Sequence, residues 1–207
     1  MRKGQKAVRI IAGAAKGRAL KAVPGKNTRP TTDKVKEAIF SMIGPFFDGG
    51  IALDLFAGTG GLGLEAWSRG AEKVIFVDRE KISVDIIRQN VQTAGADRDA
   101  EIYRNDADRA LKALAKRDIR FSIVFLDPPY KMTAMDEVMG ELAAKSMLEP
   151  DAVIVVEHDA SVAYPEEMRG FRQTRTAKYG DIAVTIYQYI EETTEEDTNR
   201  SESDVNE

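Results

Sequence analysis

The apolar positions of the chain alternate between strand-like and helix-like patterns from residue 51 onward. Seven short apolar runs predict the strands of one sheet: residues 51–56, 73–78, 101–104, 121–126, 152–157, 171–177 and 182–190. Between the first five runs the apolar residues recur at helical spacing and predict helices. One of these has a predicted buried face of Ile82, Ile86, Ile87 and Val91, and another is predicted from about residue 135 to residue 147. This alternation predicts an α/β fold: a doubly wound, mostly parallel seven-stranded sheet with an antiparallel edge strand.

The first part of the chain predicts a small extension of this fold. Residues 8–23 are punctuated by glycines and indicate a short β-hairpin, and residues 24–30 indicate a loop. A helix follows, with Thr32 or Asp33 as its cap and Gly44 and Pro45 at its end. Its predicted buried face consists of Val35, Ala38, Ile39, Met42 and Ile43.

Charge is distributed unevenly along the chain. Residues 1–36 hold eleven Lys or Arg and one acid, whereas residues 191–207 hold eight acids and one Arg. We therefore predict three parts: a basic hairpin and loop over residues 1–36, a catalytic domain over residues 37–190, and an acidic, disordered tail over residues 191–207. A basic segment on an acidic body favours a polyanionic partner, although it could also be a merely solvated face.

Composition narrows the possible chemistry. The chain has no cysteine and one histidine, which excludes disulfides, thiolate metal sites and multi-histidine metal sites, so we expect no metal. No apolar run reaches membrane-spanning length, and the N-terminus lacks the apolar core of a signal peptide. These features predict a cytoplasmic protein with no membrane association, and we expect a monomer.

A glycine-rich turn after the first predicted strand indicates a nucleotide-type cofactor site. Gly58, Gly60 and Gly63 have the G-x-G-x-x-G spacing and lead directly into a helix. Glycine permits positive φ and close approach of a ligand, and the helix N-terminus offers free N–H donors. This pattern alone fits a dinucleotide site, an S-adenosylmethionine (SAM) site, or a structural turn without a ligand.

Polar residues follow three further strands. Asp78 ends the second strand, Asp106 follows the third, and Asp127 follows the fourth. In doubly wound sheets ligands bind beyond the carboxyl ends of the strands. Four strand ends with glycine or acidic residues therefore favour a functional site over a structural coincidence.

The tetrapeptide Asp127-Pro128-Pro129-Tyr130 carries the most specific signal. The two prolines fix an extended backbone and remove two N–H donors, which leaves the Asp127 carboxylate and the Pro128 carbonyl as acceptors. Two acceptors and a flat ring suit an exocyclic NH₂ on an aromatic base, because the acceptors take its hydrogens and the ring stacks on the base. A proline turn with only a structural role is the alternative.

Together these motifs resemble the SAM-dependent amino methyltransferases, and more narrowly the RsmD-type bacterial small-subunit rRNA guanine-N2 methyltransferases. The broader resemblance rests on residues 54–66 together with Asp127-Pro128-Pro129-Tyr130. The narrower one adds Arg9-Ile10-Ile11-Ala12-Gly13, Arg29-Pro30-Thr31 and Tyr179-Gly180-Asp181. It covers roughly residues 8–190. It implies methyl transfer from SAM to the N2 amine of a guanine in 16S rRNA, on naked RNA or an assembling small subunit.

The resemblance also implies roles for single residues. Asp54, Gly58 and Gly60 would contact the methionine part of SAM, and Asp78 would bind the ribose hydroxyls. Asp106 would hold the adenine amine, with a backbone contact from Ala107. Asp127, Pro128 and Tyr130 would hold the target base. His158, after the fifth strand, is expected to be a satisfied or exposed imidazole and not a catalytic group.

The basic segment supplies the predicted RNA-binding residues: Lys16, Arg18, Lys21 and Arg29. Three alternative functions stay open from the residues themselves. An NAD-dependent oxidoreductase shares the glycine turn and Asp78 but leaves residues 127–130 unexplained. Adenine-N6 or another planar amine fits the same tetrapeptide as guanine. A non-catalytic RNA-binding assembly factor fits the basic segment.

Overall fold

The computed structural model describes residues 8–24, 32–128 and 135–191, and a mixed sheet forms its centre. In chain order the strands are β1 (Val8–Arg9), β2 (Ala19–Leu20), β3 (Ile51–Asp54), β4 (Lys73–Asp78), β5 (Ala100–Arg104), β6 (Phe121–Leu126), β7 (Leu148–Asp159), β8 (Glu167–Met168), β9 (Phe171–Tyr179) and β10 (Ile182–Tyr189). The helices are α1 (Asp33–Ile43), α2 (Gly61–Ser68), α3 (Lys81–Ala94), α4 (Ala107–Leu114) and α5 (Met135–Ala144).

The central sheet has the predicted doubly wound character and one more strand than predicted. Its order is β5-β4-β3-β6-β7-β10-β9-β8, and the pairs among the first five strands are parallel. The predicted antiparallel edge is present and comprises three strands, since β10, β9 and β8 follow β7 and pair antiparallel. The outermost strand is the two-residue β8, which the sequence did not predict because two residues carry no periodicity.

Two apolar layers cover the sheet. Helices α1, α2 and α3 pack on one face, with Phe40, Leu64 and Ile87 fully buried among the strand side chains. Helices α4 and α5 pack on the other face, where Leu111 and Leu142 are fully buried. The parallel strands β3, β4 and β6 are covered on both sides, which explains why their sequences read as unbroken apolar runs.

The predicted helix signals hold with two exceptions. Thr32 caps α1, since its hydroxyl accepts from the Val35 amide at 3.4 Å, and Gly44 ends that helix with φ 115°. Helix α5 ends at Ala144, three residues before the predicted end at residue 147. The predicted burial of Ile82 is wrong: its side chain is 44% exposed, because it lies in the first turn of α3, where Ser83 and Val84 face the core instead.

The N-terminal hairpin is packed into the core of the described protein. Strands β1 and β2 pair through Val8 and Leu20, and both side chains join the apolar layer formed by α1, α2 and α3. The proposed boundary at residue 36 lies inside α1. The basic residues Lys3, Lys6 and Lys26 and the acidic tail from residue 192 lie outside the described residues, so the three-part division stays a prediction.

Candidate active site

The carboxyl ends of four neighbouring strands bring the predicted site residues to one edge of the sheet. Asp54 and Asp78 are the last residues of β3 and β4, Asp106 follows β5, and Asp127 follows β6. The strands lie in the order β5-β4-β3-β6 and run parallel. Acids that are far apart in sequence therefore share one rim, with the glycine turn after β3 between them.

The glycine turn depends on conformations that other residues rarely adopt. Gly58 has φ 54°, and Gly60, the N-cap of α2, has φ 75°. Gly63 serves close packing: a Cβ at this position would lie 2.4 Å from the Phe76 ring and 2.8 Å from Val74. Helix α2 can therefore approach β4 closely, and its N-terminus opens toward the rim.

Asp54 supports the glycine turn through a hydrogen bond to the start of α2. Its carboxyl group is 2% exposed and accepts a hydrogen bond of 3.0 Å from the Gly63 amide. Burial, with a smaller contribution from the charge of Asp78, raises the pKa of Asp54 to about 7, although the Gly63 hydrogen bond acts in the opposite direction. A cationic ligand group beside Asp54 would favour its ionised form.

Asp78 joins strand β4 to the same turn. One carboxylate oxygen accepts from the Gly58 amide at 2.9 Å, and the other accepts from the Glu80 amide at 2.8 Å. Each carboxylate oxygen has a second lone pair, so Asp78 can accept two further hydrogen bonds. A vicinal diol such as a ribose offers donors at the required spacing.

Asp106 has a structural role that the sequence only suggested. It caps α4, because its carboxylate accepts from the Arg109 amide at 2.9 Å and lies 3.4 Å from Arg109 Nε. Its side chain is still 48% exposed, whereas Ala107 is buried. The predicted contact of Asp106 and Ala107 with an adenine ring stays a prediction.

The cradle fits SAM chemically. A Cβ on Gly58 would meet one atom of the described residues within 4 Å, the Phe56 carbonyl oxygen at 4.0 Å, so the turn borders open space. Around that space lie the buried carboxyl group of Asp54 with its raised pKa, the Asp78 carboxylate, which can accept from a diol, and the N-terminus of α2. SAM carries a cationic amino acid end and a ribose, which match the first two features.

Asp127 and Pro128 lie beside the cradle at the end of β6. Asp127 is half-buried, and its pKa is raised by burial and by the nearby charges of Glu157 and Asp54. Pro128 is also half-buried. Pro129 and Tyr130 lie outside the described residues, so the predicted stacking role of Tyr130 stays a prediction.

Glu157 is a residue of this rim that sequence reasoning missed. It is 7% exposed and lies near the end of β7, next to the strand that precedes Asp127. In the sequence, Glu157 is an acidic residue at the end of a predicted apolar strand, which is the same pattern that pointed to Asp78. Among the described residues no group of three or more His, Asp or Glu side chains has an arrangement suited to a metal ion.

His158 has a partner for each ring nitrogen. Nδ1 lies 2.9 Å from the Asp159 carbonyl oxygen, and Nε2 lies 2.8 Å from the Thr185 hydroxyl. The Tyr164 ring packs edge-on with a centroid separation of 4.7 Å. Burial lowers the pKa of His158. This agrees with the prediction of a satisfied imidazole.

Three of the four predicted RNA-binding residues, Lys16, Arg18 and Lys21, lie on or next to the hairpin. Arg18 donates to the Thr93 carbonyl oxygen at 2.5 Å and Lys21 to Gln89 Oε1 at 2.7 Å, both on α3. Lys16 is exposed at the hairpin tip, and Arg29 lies outside the described residues. Their role in RNA binding stays a prediction.

The hairpin runs along α2 from the rim to the far end of that helix. A Cβ on Gly61, at the start of α2, would lie 3.7 Å from Val8. The Ala14 amide donates to the Ser68 carbonyl oxygen, at the end of α2, at 2.7 Å. Lys16 is therefore about one helix length from the cradle.

Glu65 fixes the hairpin to the core and was also missed. Its carboxylate is fully buried and accepts from the Ile11 and Ala12 amides at 2.8 and 3.0 Å. It also pairs with Lys36 Nζ at 3.2 Å and with Arg69 Nε at 2.8 Å. The basic segment is thus held by a buried ionic network.

A second link joins the hairpin to the cofactor cradle. Asn90, buried on α3, accepts from the Lys21 amide at 2.7 Å and donates to the Lys21 carbonyl at 3.0 Å. The same side-chain nitrogen donates to the Thr59 carbonyl, in the glycine turn, at 2.9 Å. The position of the hairpin and the shape of the turn are therefore coupled.

None of the helices in the described part of the chain has the length and apolar character needed to cross a membrane.

Comparison with known proteins agrees with this geometry. The family model described as "Conserved hypothetical protein 95" matches residues 8–188. YlbH of Bacillus subtilis, assigned by name to the rRNA methyltransferases, is 52% identical over 87% of this chain and 98% of its own. Ribosomal RNA small subunit methyltransferase D of Haemophilus influenzae is 33% identical over 87% and 93%. The solved structure of YhhF of Escherichia coli, named as a methyltransferase, has a TM-score of 0.74 and 32% identity, covering 89% of this chain and 98% of its own.

Proposed function

The chain belongs to the RsmD family of SAM-dependent rRNA methyltransferases, and from this premise we propose that it methylates the N2 amine of a guanine in 16S rRNA. The observation that carries the proposal is the placement of Asp127 and Pro128 at the end of β6, next to the glycine turn after β3. An oxidoreductase has no use for two acceptors without donors at that position. A methyltransferase uses both features: the glycine turn binds SAM, and Asp127 and Pro128 accept from the target amine.

The proposed reaction requires little chemistry from the protein beyond positioning. SAM, when bound, supplies a methyl group on a positively charged sulfur. The Asp127 carboxylate and the Pro128 carbonyl each accept one hydrogen of the target amine, which directs the nitrogen lone pair toward the methyl group. Asp54 and Asp78 hold the amino acid end and the ribose.

Asp127 also suits the proton transfer that completes the reaction. An aromatic amine is a weak base, but the nitrogen becomes acidic once it carries the methyl group and a positive charge. The proton must then leave. The raised pKa of Asp127, caused by burial and by the charges of Glu157 and Asp54, makes its carboxylate a stronger proton acceptor than an exposed one.

The proposed substrate is 16S rRNA, either naked or within an assembling small subunit. The target amine must leave any base pair or stack to reach the rim, so we propose an unpaired or flipped-out nucleotide. The basic hairpin would then contact phosphates on the flanking RNA. Lys16 and Arg18 lie about one helix length from the rim, a separation compatible with neighbouring nucleotides of the same folded RNA.

The test is methyl transfer from labelled SAM to small subunits and to 16S rRNA prepared from cells that lack the gene. We expect incorporation with the parent enzyme. Asp127→Ala should bind SAM like the parent but lose rate at saturating substrates, because the amine contact matters mainly in the transition state. Equal turnover by Asp127→Ala would contradict the acceptor-pair mechanism.

A melting experiment separates the methyltransferase from the oxidoreductase. A ligand that binds the folded protein raises its melting temperature. We expect SAM to raise it and NAD to leave it unchanged. Stabilisation by NAD alone would contradict the proposal.

A further inference from the structure

Asp127 and Glu157 lie at matched positions on neighbouring strands. Strands β6 and β7 run parallel with Phe125 opposite Val155 and Leu126 opposite Val156, so the next pair in register is Asp127 and Glu157. Side chains alternate between faces along a strand. Phe125 and Val155 both belong to the apolar layer beneath α1, α2 and α3, which places Asp127 and Glu157 on that same face.

The face assignment separates Glu157 from its neighbour in sequence. Leu126 and Val156 belong to the opposite layer, beneath α4 and α5. His158 shares the face of Val156, where Nε2 contacts the Thr185 hydroxyl. Glu157 therefore lies on the same face of the sheet as Asp54 and Asp127, and it is 7% exposed.

Guanine and adenine differ where such a carboxylate would act. In guanine the amine at C2 is flanked by N1–H, a second donor on the Watson–Crick edge. In adenine the amine at C6 is flanked by N1 without hydrogen, an acceptor. Asp127 and Pro128 can hold either amine, so the group beside Asp127 decides between the two bases.

We propose that Glu157 selects guanine, by accepting the N1–H of the target base while Asp127 and Pro128 hold its N2 amine. This inference rests on the proposed methyl transfer and specifies its substrate. Two adjacent acceptors match the two adjacent donors of guanine. Adenine would present the N1 lone pair to the Glu157 carboxylate, and that repulsion within a buried site rejects it.

The charged groups around Glu157 are consistent with this role. By the same alternation, Asp127 after β6 and the last residues of β3 and β4, Asp54 and Asp78, are acids of the rim on this face. On the side of β10, Glu157 is opposite Val184, an apolar residue. A base with donors on its edge relieves the repulsion between Asp127 and Glu157, whereas a base with an acceptor adds to it.

A nucleotide substitution in the RNA tests the proposal. Mass spectrometry of rRNA methylated by the parent enzyme locates the target, and ligation then replaces that guanosine with 2-aminopurine riboside. 2-Aminopurine keeps the amine at C2 but lacks N1–H. We expect the parent enzyme to prefer guanine by about 10- to 100-fold in kcat/KM, the discrimination expected of one charged hydrogen bond.

The variant Glu157→Gln should lose that preference. Its amide can donate to N1 of 2-aminopurine, so we expect the guanine rate to fall and the guanine to 2-aminopurine ratio to approach one. Glu149→Gln is the matched control, because Glu149 is exposed at the opposite end of the same strand. If Glu157→Gln does not fold, Glu157→Asp is the second variant. It keeps the charge, so we expect it to retain the preference for guanine.

The outcomes separate this inference from the proposed function. A ratio in Glu157→Gln equal to that of the parent would overturn the role of Glu157, as would a parent enzyme that methylates both bases equally well. If the parent methylates no nucleotide of 16S rRNA, the proposed function itself fails. A purely structural role would lower both rates together and leave the ratio unchanged.

Discussion

The Asp78 carboxylate accepts a hydrogen bond of 2.9 Å from the amide of Gly58. The end of β4 is thereby tied to the turn that follows β3, and the residue proposed to bind the ribose also shapes the glycine cradle. Gly58, whose amide makes this bond, has φ 54°, a conformation that favours glycine. Binding and support of the turn are therefore combined in one side chain.

Asp78→Ala should weaken SAM binding by about 1.5–3 kcal/mol, roughly ten- to a hundredfold, because charged hydrogen bonds to the ribose are removed. Titration calorimetry measures the change. Asp85→Ala is the control, since it removes a half-exposed acid from the adjacent helix α3. Unchanged affinity in Asp78→Ala would exclude Asp78 from the cofactor site.

Asp54 should make SAM binding depend on pH. Its pKa of about 7 means that it is partly protonated at neutral pH, and a cationic ligand favours the ionised form. We expect SAM affinity to rise by up to about tenfold per pH unit below pH 7 and to level off above it. Asp54→Asn should remove this dependence of SAM affinity on pH. Calorimetry between about pH 5.5 and about pH 8 measures it.

The stability of the ligand-free protein should respond to Asp54 in the opposite direction. The folded state binds this proton more tightly than the unfolded state, so the contribution is complete below the ordinary pKa of 3.8 and is lost as pH rises toward 7. Chemical denaturation of the parent and Asp54→Asn over this range checks the sign. A SAM affinity that falls with rising pH would contradict the assignment.

Glu65→Ala should destabilise the protein by about 3–5 kcal/mol, because it leaves the buried Lys36 without its counter-ion and two amides of the hairpin without their acceptor. Denaturant unfolding gives the value. Glu80→Ala disrupts an exposed pair with Arg79 and should change stability by less than about 1 kcal/mol. Similar losses of stability in the two variants would show that the Glu65 network does not hold the hairpin.

Replacing Lys16, Arg18 and Lys21 together with Gln should weaken RNA binding and flatten its salt dependence. The slope should fall by about one for each phosphate that the variant no longer neutralises. SAM affinity should stay unchanged, because Asn90 contacts the backbone of Lys21 and not its side chain. Binding to 16S rRNA fragments across a salt series measures the RNA affinity and its slope.

The matched control for the hairpin replaces Lys112, Lys116 and Arg120, three exposed basic residues on or after α4. Helix α4 covers the opposite face of the sheet. We expect this control to keep the salt slope of the parent. If the hairpin variant also keeps that slope, the hairpin is not the RNA-docking element.

The sequence predicted the strand ends well because the site depends on local signals. Asp78 and Asp127 end or follow an unbroken apolar run, and a parallel sheet brings such ends together whatever their distance along the chain. Asp54 lies inside the predicted run of residues 51–56, because β3 ends two residues earlier than predicted. Strand β4 was predicted with its correct bounds. Glu157 carries the same signal, but its relevance depends on the register between β6 and β7, which no single segment encodes.

Polar residues on buried helix faces were harder to predict. Lys36 lies within the apolar stripe of α1, between Val35 and Ile39, and Glu65 lies in a helix that is otherwise small or apolar. Periodicity identifies the face that is buried but does not identify a charge on it as half of a pair. The pairing of Lys36 with Glu65 required the packing of α1 against α2.

Identification of the methylated nucleoside tests the central claim most directly. 16S rRNA from cells lacking the gene is treated with the enzyme and labelled SAM, digested to nucleosides, and analysed by chromatography and mass spectrometry against authentic standards. We predict that the label appears in N2-methylguanosine. Label in N6-methyladenosine, or no label in RNA while SAM is bound, would contradict the account.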